Sequence, residues 1–355
     1  MRVAYTLEQC WHRVPGGTGT AALAMADAIV RRGDIDLVGV AGRHRGAPTP
    51  GFAPRVPVSA LPIASPWLYE TWMRFRWPLV ESVVGDADLV HATTIIPPAT
   101  RLPLVVTLHD ILFVRHPEMF TARGNKSFRR SMRIIEREAR TIMCSSRATL
   151  DDCVANGLPA GKLRHVPLGV APVDVDQADI ARVRAAYSLP DEFVLFVGTL
   201  EPRKNLSRLL AAMGSVSPRV PLVIAGMQGW GDQPAPDGVD ARLLGFVPNE
   251  DLAPLYAAAS VVAYPSLAEG FGMPVLEAMA AGTAVVTSRG SSTEEVAGGA
   301  AVLVDPFDVG SIADGITTAL RDRDELAVSG RRHAGTMTWD RTAALVAQVY
   351  AEARS

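Results

Sequence analysis

Glu269-Gly-Phe-Gly-Met-Pro-Val-Leu-Glu277 joins a pliable backbone turn to the start of a helix and sets a glutamate at each end. Gly270 and Gly272 let the backbone approach a ligand and adopt positive φ. Pro274 fits the first helical position, where its missing N–H costs nothing. Met273 is then the expected cap, and the N–H groups of Val275 and Leu276 are left free for an anion. Glu277, one turn into the helix, can accept hydrogen bonds from two neighbouring hydroxyls of a ribose. Glu269 would face the other end of the ligand, so the stretch suits a phosphorylated sugar. The spacing of the glutamates says little by itself. The glycines, Pro274 and the helical continuation Glu277-Ala-Met-Ala-Ala-Gly282 make it specific.

Around this stretch, short β-branched runs alternate with helical patterns, which argues for an α/β protein with parallel sheets covered by helices. Strands are expected near residues 3–6, 36–41, 89–91, 104–108, 141–144 and 163–166. After Pro167-Leu-Gly-Val-Ala-Pro-Val-Asp174 the alternation restarts, with strands at 193–197, 221–225, 241–244, 261–264, 284–287 and 301–304. Two such series imply two Rossmann-like domains, and 355 residues exceed what one hydrophobic core usually holds. Each proposed site motif follows a strand, where open α/β sheets bind their ligands.

No apolar run reaches the roughly 18 residues needed to cross a bilayer. The start meets Glu8 too early for a secretion signal. Cys10, Cys144 and Cys153 lack metal-binding spacing and fit a reducing compartment as small buried hydrophobes. A cytoplasmic location is expected. Residues 1–170 hold 21 basic against 14 acidic side chains, a charge of +7, whereas the remainder holds 14 against 23, a charge of −9. Much of the positive excess lies in Lys126, Arg130, Arg133, Arg137 and Arg140, which recur at steps of four and three on one helix face. Phe128, Met132, Ile135, Ala139 and Ile142 repeat those steps on the opposite side. Two readings of this stripe stand: a solvated face, or attraction to anionic lipid headgroups or a phosphate-bearing acceptor. The latter would add peripheral contact at the cytoplasmic face of a membrane; no nucleic-acid partner is expected. Trp67, Trp72 and Trp77, with Arg74 and Arg76, offer a second surface or, as is commoner, core aromatics.

Several stretches in fixed order resemble the retaining nucleotide-sugar glycosyltransferases of glycosyltransferase family 4, which carry an E-x7-E signature. They are Phe196-Val-Gly-Thr-Leu-Glu-Pro-Arg-Lys-Asn205, Leu243-Leu-Gly-Phe-Val247, the glutamate pair, Gly290-Ser-Ser-Thr-Glu-Glu-Val-Ala-Gly298 and Val302-Leu-Val-Asp-Pro306. Gly16-Gly17 and Thr107-Leu-His-Asp110 match more loosely. The resemblance implies a GT-B fold, two Rossmann-like domains with parallel sheets facing across a cleft. Residues 1–170 would form the acceptor side and 171–338 the nucleotide-sugar side, while a helix in 339–355 returns to the N-terminal domain. It further implies that Glu269 holds sugar hydroxyls, Glu277 the ribose, and the backbone at Phe246 and Val247 the base. Gly17, Gly198, Phe271, Gly272, Met273, Val275 and Leu276 would line the donor. His109 would contact the transferred sugar.

Breaking a sugar–phosphate bond develops negative charge on a nucleoside diphosphate, and catalysis needs cations aimed there. Arg203 and Lys204, in the turn after the strand ending at Val197-Gly198, suit that task. Lys204 is one of three lysines beside 32 arginines, so its placement is unexpected on composition. Many relatives have Arg directly after the glycine where this chain has Thr199. The Asp-x-Asp patterns at Asp34, Asp86, Asp174 and Asp322 follow no apolar strand and read as turns and caps. Metal-independent transfer without a cofactor is expected. Gly17-Thr-Gly19-Thr-Ala-Ala22 also spells a dinucleotide fingerprint, but about ten residues separate it from the strand and no acid ends the second strand. The expected donor is GDP-mannose, by likeness to bacterial mannosyltransferases, or a UDP-sugar. The acceptor, whether glycan, lipid-linked or small molecule, is not legible. A sugar-nucleotide epimerase of the same fold and a non-catalytic nucleotide-sugar binding module are the alternatives.

Overall fold

The computed structural model describes residues 1–229 and 238–355. The chain divides into two compact units, Met1–Gly169 with Trp339–Ser355, and Val170–Thr338.

The first unit is built on seven strands: β1 (Arg2–Thr6), β2 (Asp36–Ala41), β3 (Val58–Ala60), β4 (Leu89–Ala92), β5 (Leu104–Leu108), β6 (Ala139–Cys144) and β7 (Leu163–His165). Their order is β3-β2-β1-β4-β5-β6-β7, and every pairing is parallel. The second unit has six: β8 (Val194–Val197), β9 (Leu222–Ala225), β10 (Ala241–Gly245), β11 (Val261–Tyr264), β12 (Ala284–Ser288) and β13 (Val302–Val304). Their order is β10-β9-β8-β11-β12-β13, again all parallel. Helices cover both faces of such sheets, which explains why β4, β5, β9 and β11 are buried along their whole length instead of alternating. Each sheet reverses its order beside its first strand, at β1/β4 and at β8/β11. Open parallel sheets bind their ligands outside the carboxyl ends of the strands at such reversals.

The helix Trp339–Arg354 belongs to the first unit, where it packs on the helix Gly16–Arg32 and on β4, β5 and β6. Its Tyr350 hydroxyl lies 2.6 Å from His91 Nδ1, and His91 Nε2 lies 2.7 Å from Thr107 Oγ1. Burial pushes the His91 imidazole down to about 3, so it bridges these hydroxyls as a neutral group.

Several expectations need correction. The basic helix spans Ala122–Glu138, with the Thr121 side chain accepting from Gly124 N at its start. Ala139, Arg140 and Ile142 therefore lie on β6 and not on the helix. Their spacing continued the helical pattern only because a buried strand places apolar residues there as well. Gly16, Gly17 and Gly19 lie in the first turn of the helix Gly16–Arg32. Of the three tryptophans only Trp72 is a core residue, 1% exposed, whereas Trp67 and Trp77 are 69% and 53% exposed. Strand β3 was not foreseen. Its three residues are too short to show periodicity, and it pairs with β2 alone.

Candidate functional site

In the second unit, the chain leaves β8 at Gly198 and makes a one-turn helix, Pro202–Lys204, before the helix Leu206–Met213 begins. Asn205 ends that turn at φ 63°, and its side-chain amide donates to the carbonyls of Pro265 (2.9 Å) and Pro306 (2.7 Å). Leu267 N donates to Arg203 O at 2.8 Å. These bonds tie the Arg203-Lys204 turn to the loop after β11. Gly226 carries φ 157°, and a Cβ there would overlap the Gly198 carbonyl, so both strand ends rely on bare backbone.

Glu269 lies between the two cations. Its Oε1 accepts from Lys204 Nζ at 2.6 Å, and its Oε2 accepts from Arg203 Nη1 at 2.7 Å. Arg203 Nε also donates to Glu201 Oε2 at 3.0 Å. Tyr264, at the end of β11, completes the cluster: its hydroxyl donates to Glu269 Oε1 at 3.0 Å and accepts from Lys204 Nζ. Lys204 Nζ also stands 4.8 Å from the centre of that ring. Burial depresses the Lys204 ammonium, against the opposing field of Glu269. Burial alone would raise the Glu269 carboxyl, but Arg203 and Lys204 overcome it and hold it at about 2.

This shift has a sign. A carboxyl depressed in the folded state stabilises the fold fully above its unfolded value, near 4.5, and loses that contribution as the pH falls toward about 2. That contribution is on the order of 3 kcal/mol. The stability advantage of wild type over Glu269→Gln, measured by urea unfolding, should therefore narrow as the pH is lowered through that window. An advantage that stays constant between pH 6 and pH 2.5 would show that the charge of Glu269 does not hold the cluster.

The helix Met273–Ala281 starts from Gly272, at φ 105°. Gly272, not Met273, is thus the cap, and Pro274 is the second helical residue. The Val275 N–H is not free either, because it donates to Gly272 O at 3.0 Å. The glycine's left-handed conformation starts the helix one residue earlier than Pro274 suggested, and a Cβ at Gly272 would meet Thr293 Cγ2 at 2.7 Å. Val275 and Leu276 have buried side chains, and Phe271 is 5% exposed. Glu277 Oε2 accepts from the Tyr256 hydroxyl at 2.9 Å. Burial raises the Glu277 carboxyl, opposed by that hydrogen bond. Ser292 Oγ donates to Glu269 O at 2.7 Å, joining the helix Ser292–Ala297 to the same loop. After β10, Val247 is 5% exposed and Phe246 is 61% exposed.

In the first unit, His109 follows β5 and lines a cavity of about 660 Å³. Its carbonyl accepts from Ser145 Oγ (3.0 Å) and Thr149 Oγ1 (3.1 Å), which fixes the peptide. Burial lowers its imidazole, against Asp110 and a 3.3 Å contact from Nε2 to Thr93 O. The neutral ring donates from Nε2 and keeps a lone pair on Nδ1. Tyr69, Met73, Phe113, Phe120 and Phe128 supply most of the apolar wall, and His12 adds a second imidazole. Gly17 sits in the first turn of the helix Gly16–Arg32.

The structure thus brings Arg203, Lys204 and Glu269 together and places Gly198 beside them, with Glu277 on the adjoining helix. Sequence reasoning missed Tyr264, Tyr256 and Asn205. The signal for Tyr264 was its position at the end of a strand at the order reversal. Tyr256 carried none, because it comes from a separate helix.

Two family models match the chain. The one described as Glycosyltransferase Family 4 matches residues 15–173, and Glycosyl transferases group 1 matches residues 179–334. An O-antigen chain mannosyltransferase of Escherichia coli is 33% identical over 254 residues, 66% of this chain and 67% of that protein. A serotype-specific mannosyltransferase of Escherichia coli is 28% identical over 284 residues, covering 71% of this chain but 34% of that protein. Among solved structures, the Anabaena HepE protein in complex with UDP and glucose aligns at a TM-score of 0.75 and 21% identity, covering 98% of both chains. A sucrose-phosphate synthase from Thermosynechococcus elongatus aligns at 0.75 and 20%, covering 99% of this chain and 98% of that one. With two parallel-sheet units of the GT-B type, this chain belongs to glycosyltransferase family 4 and is a nucleotide-sugar glycosyltransferase.

Proposed function

We propose that the chain transfers a hexose, with retention of anomeric configuration, from GDP-mannose to the hydroxyl of an acceptor bound in the His109 cavity. The observation that carries this reading is the pair Lys204 and Arg203, fixed 2.6 and 2.7 Å from the two oxygens of one buried carboxylate. Two cations held in one rigid turn can meet the charge that grows on a departing diphosphate. They supply that charge from the protein, which supports transfer without a metal. Both oxygens of Glu269 are engaged, which makes it a poor covalent nucleophile and supports a front-face displacement. The departing phosphate oxygen would then accept the proton of the acceptor hydroxyl. Glu269 would orient the sugar and Glu277 would hold the ribose, with Val247 at the base.

The mannosyltransferase relatives favour GDP-mannose, and the UDP in the Anabaena structure keeps UDP-sugars as the second donor. The mannosyltransferase named for O-antigen chains also favours a role in cell-envelope polysaccharide synthesis. No helix among the described residues is long and apolar enough to cross a membrane. Lys126, Arg130, Arg133 and Arg137 are all exposed, which favours peripheral contact with anionic lipid. A cavity of about 660 Å³ beside His109 suits a second substrate, which an epimerase does not need.

A donor panel tests the proposal. GDP should be released from GDP-mannose faster with acceptor than without, and NMR of the product should show the donor's own anomeric configuration. Inversion, or acceptor-independent release, would overturn it. Glu277→Ala should weaken GDP affinity by about tenfold, the scale of one charged hydrogen bond. Unchanged calorimetric affinity would remove Glu277 from the ribose.

A further inference from the structure

The helices Trp67–Phe75 and Ala122–Glu138 of the first unit pack against each other and enclose a second concavity, of about 320 Å³. Arg74, Arg76, Arg130, Arg133 and Arg137 line it, with Met73 and Ile134. Among the described residues only two carboxylates answer these five guanidinium groups. Glu70 pairs with Arg74 at 3.0 Å, and Glu138 contacts both Arg76 and Arg137. Arg130 and Arg133 have no ion-pair partner among the described residues. Next to these arginines in sequence stand Phe75, 73% exposed, and Trp77, 53% exposed, while Trp67 at the head of the same helix is 69% exposed. Large aromatics are rarely left in water without a use, and aromatics interleaved with arginines are the composition of surfaces that rest at a lipid headgroup boundary.

We propose that this face docks on an anionic bilayer, with headgroup phosphates entering the arginine concavity while Trp67, Phe75 and Trp77 seat in the interface. A free phosphate would account for the arginines but leave the three aromatics unexplained. The aromatic rings need an apolar layer beside the anion, which a bilayer provides. Met73 lines both this concavity and the one holding His109, so a bound headgroup lies one side chain from the proposed acceptor site. The inference extends the proposed peripheral contact and makes no use of the donor chemistry, since every residue named here belongs to the first unit.

The test uses the full chain and vesicles of phosphatidylcholine with or without phosphatidylglycerol. Wild type should bind the anionic vesicles and not the neutral ones, with a blue shift of tryptophan emission. Arg130→Gln with Arg133→Gln should weaken binding by about 30-fold, at roughly fivefold for each basic residue near the surface. Replacing Trp67, Phe75 and Trp77 together by Ser should abolish the binding that survives 0.5 M salt. GDP affinity, read in parallel, should stay unchanged in both variants; a GDP-binding failure in wild type would count against the donor reading alone. Equal vesicle binding by wild type and both variants would overturn the proposal. So would retention on heparin with no binding to anionic vesicles, the result expected of a polyanion site.

Discussion

Lys204→Met is expected to lower kcat by about 10²- to 10³-fold, the usual cost of removing one preorganised electrostatic group from a transition state. The ammonium is buried, 7% exposed, and held by Glu269 and Tyr264, so it is in place before any charge develops. Methionine keeps most of the unbranched stem and loses the ammonium, with its charge and its hydrogen bonds to Glu269 and Tyr264. The growing charge on the departing phosphate is largest at bond breaking, so kcat should fall more than donor affinity does. Lys204→Arg should not restore the rate. The buried ammonium meets Glu269 and the Tyr264 hydroxyl at a single point, and the planar fork of a guanidinium does not reproduce that geometry. The fold should survive Lys204→Met because Arg203 still neutralises Glu269 at 2.7 Å. A variant within tenfold of wild-type kcat would take Lys204 out of the chemistry.

The cations were legible in the sequence because they follow a strand-ending glycine, a position that a parallel sheet places at its functional edge. Their carboxylate partner was only half legible. Glu269 was singled out for its spacing to Glu277, yet nothing local shows that it lies between Arg203 and Lys204, which are 65 residues or more upstream. That pairing is set by strand order, with β8 beside β11. Most strands were readable from their β-branched runs, because buried parallel strands leave an uninterrupted apolar signature. Helix ends were harder. Gly272 displaced Met273 as cap because a glycine at φ 105° can start the helix without a side-chain cap, a backbone choice that residue identity only permits. The exposed Trp67 and Trp77 went against composition, since large aromatics are buried on average.

Removing residues 339–355 should unfold the first unit while leaving nucleotide affinity in the second. Trp339, Val346, Val349 and Tyr350 are at most 7% exposed, and burying each such side chain contributes about 1.5–3 kcal/mol. Four of them give roughly 6–12 kcal/mol, as much as the whole stability of a typical domain, before the truncation strips cover from the strands beneath. His91, wholly buried, would also lose the Tyr350 hydroxyl from Nδ1. Lys204, Arg203, Glu269 and Glu277 lie in Val170–Thr338, whose sheet draws no strand from the other unit. A chain ending at Thr338 should therefore lose amide-exchange protection throughout β4, β5 and β6 and lose transferase activity, yet still bind GDP by calorimetry. Tyr350→Phe is the milder case: it keeps the ring and should cost about 1–3 kcal/mol, the penalty for one unsatisfied buried polar atom. Full protection of β4, β5 and β6 in the truncated chain would mean that the final helix merely decorates the first sheet, and the energetic argument for its return to that unit would fail.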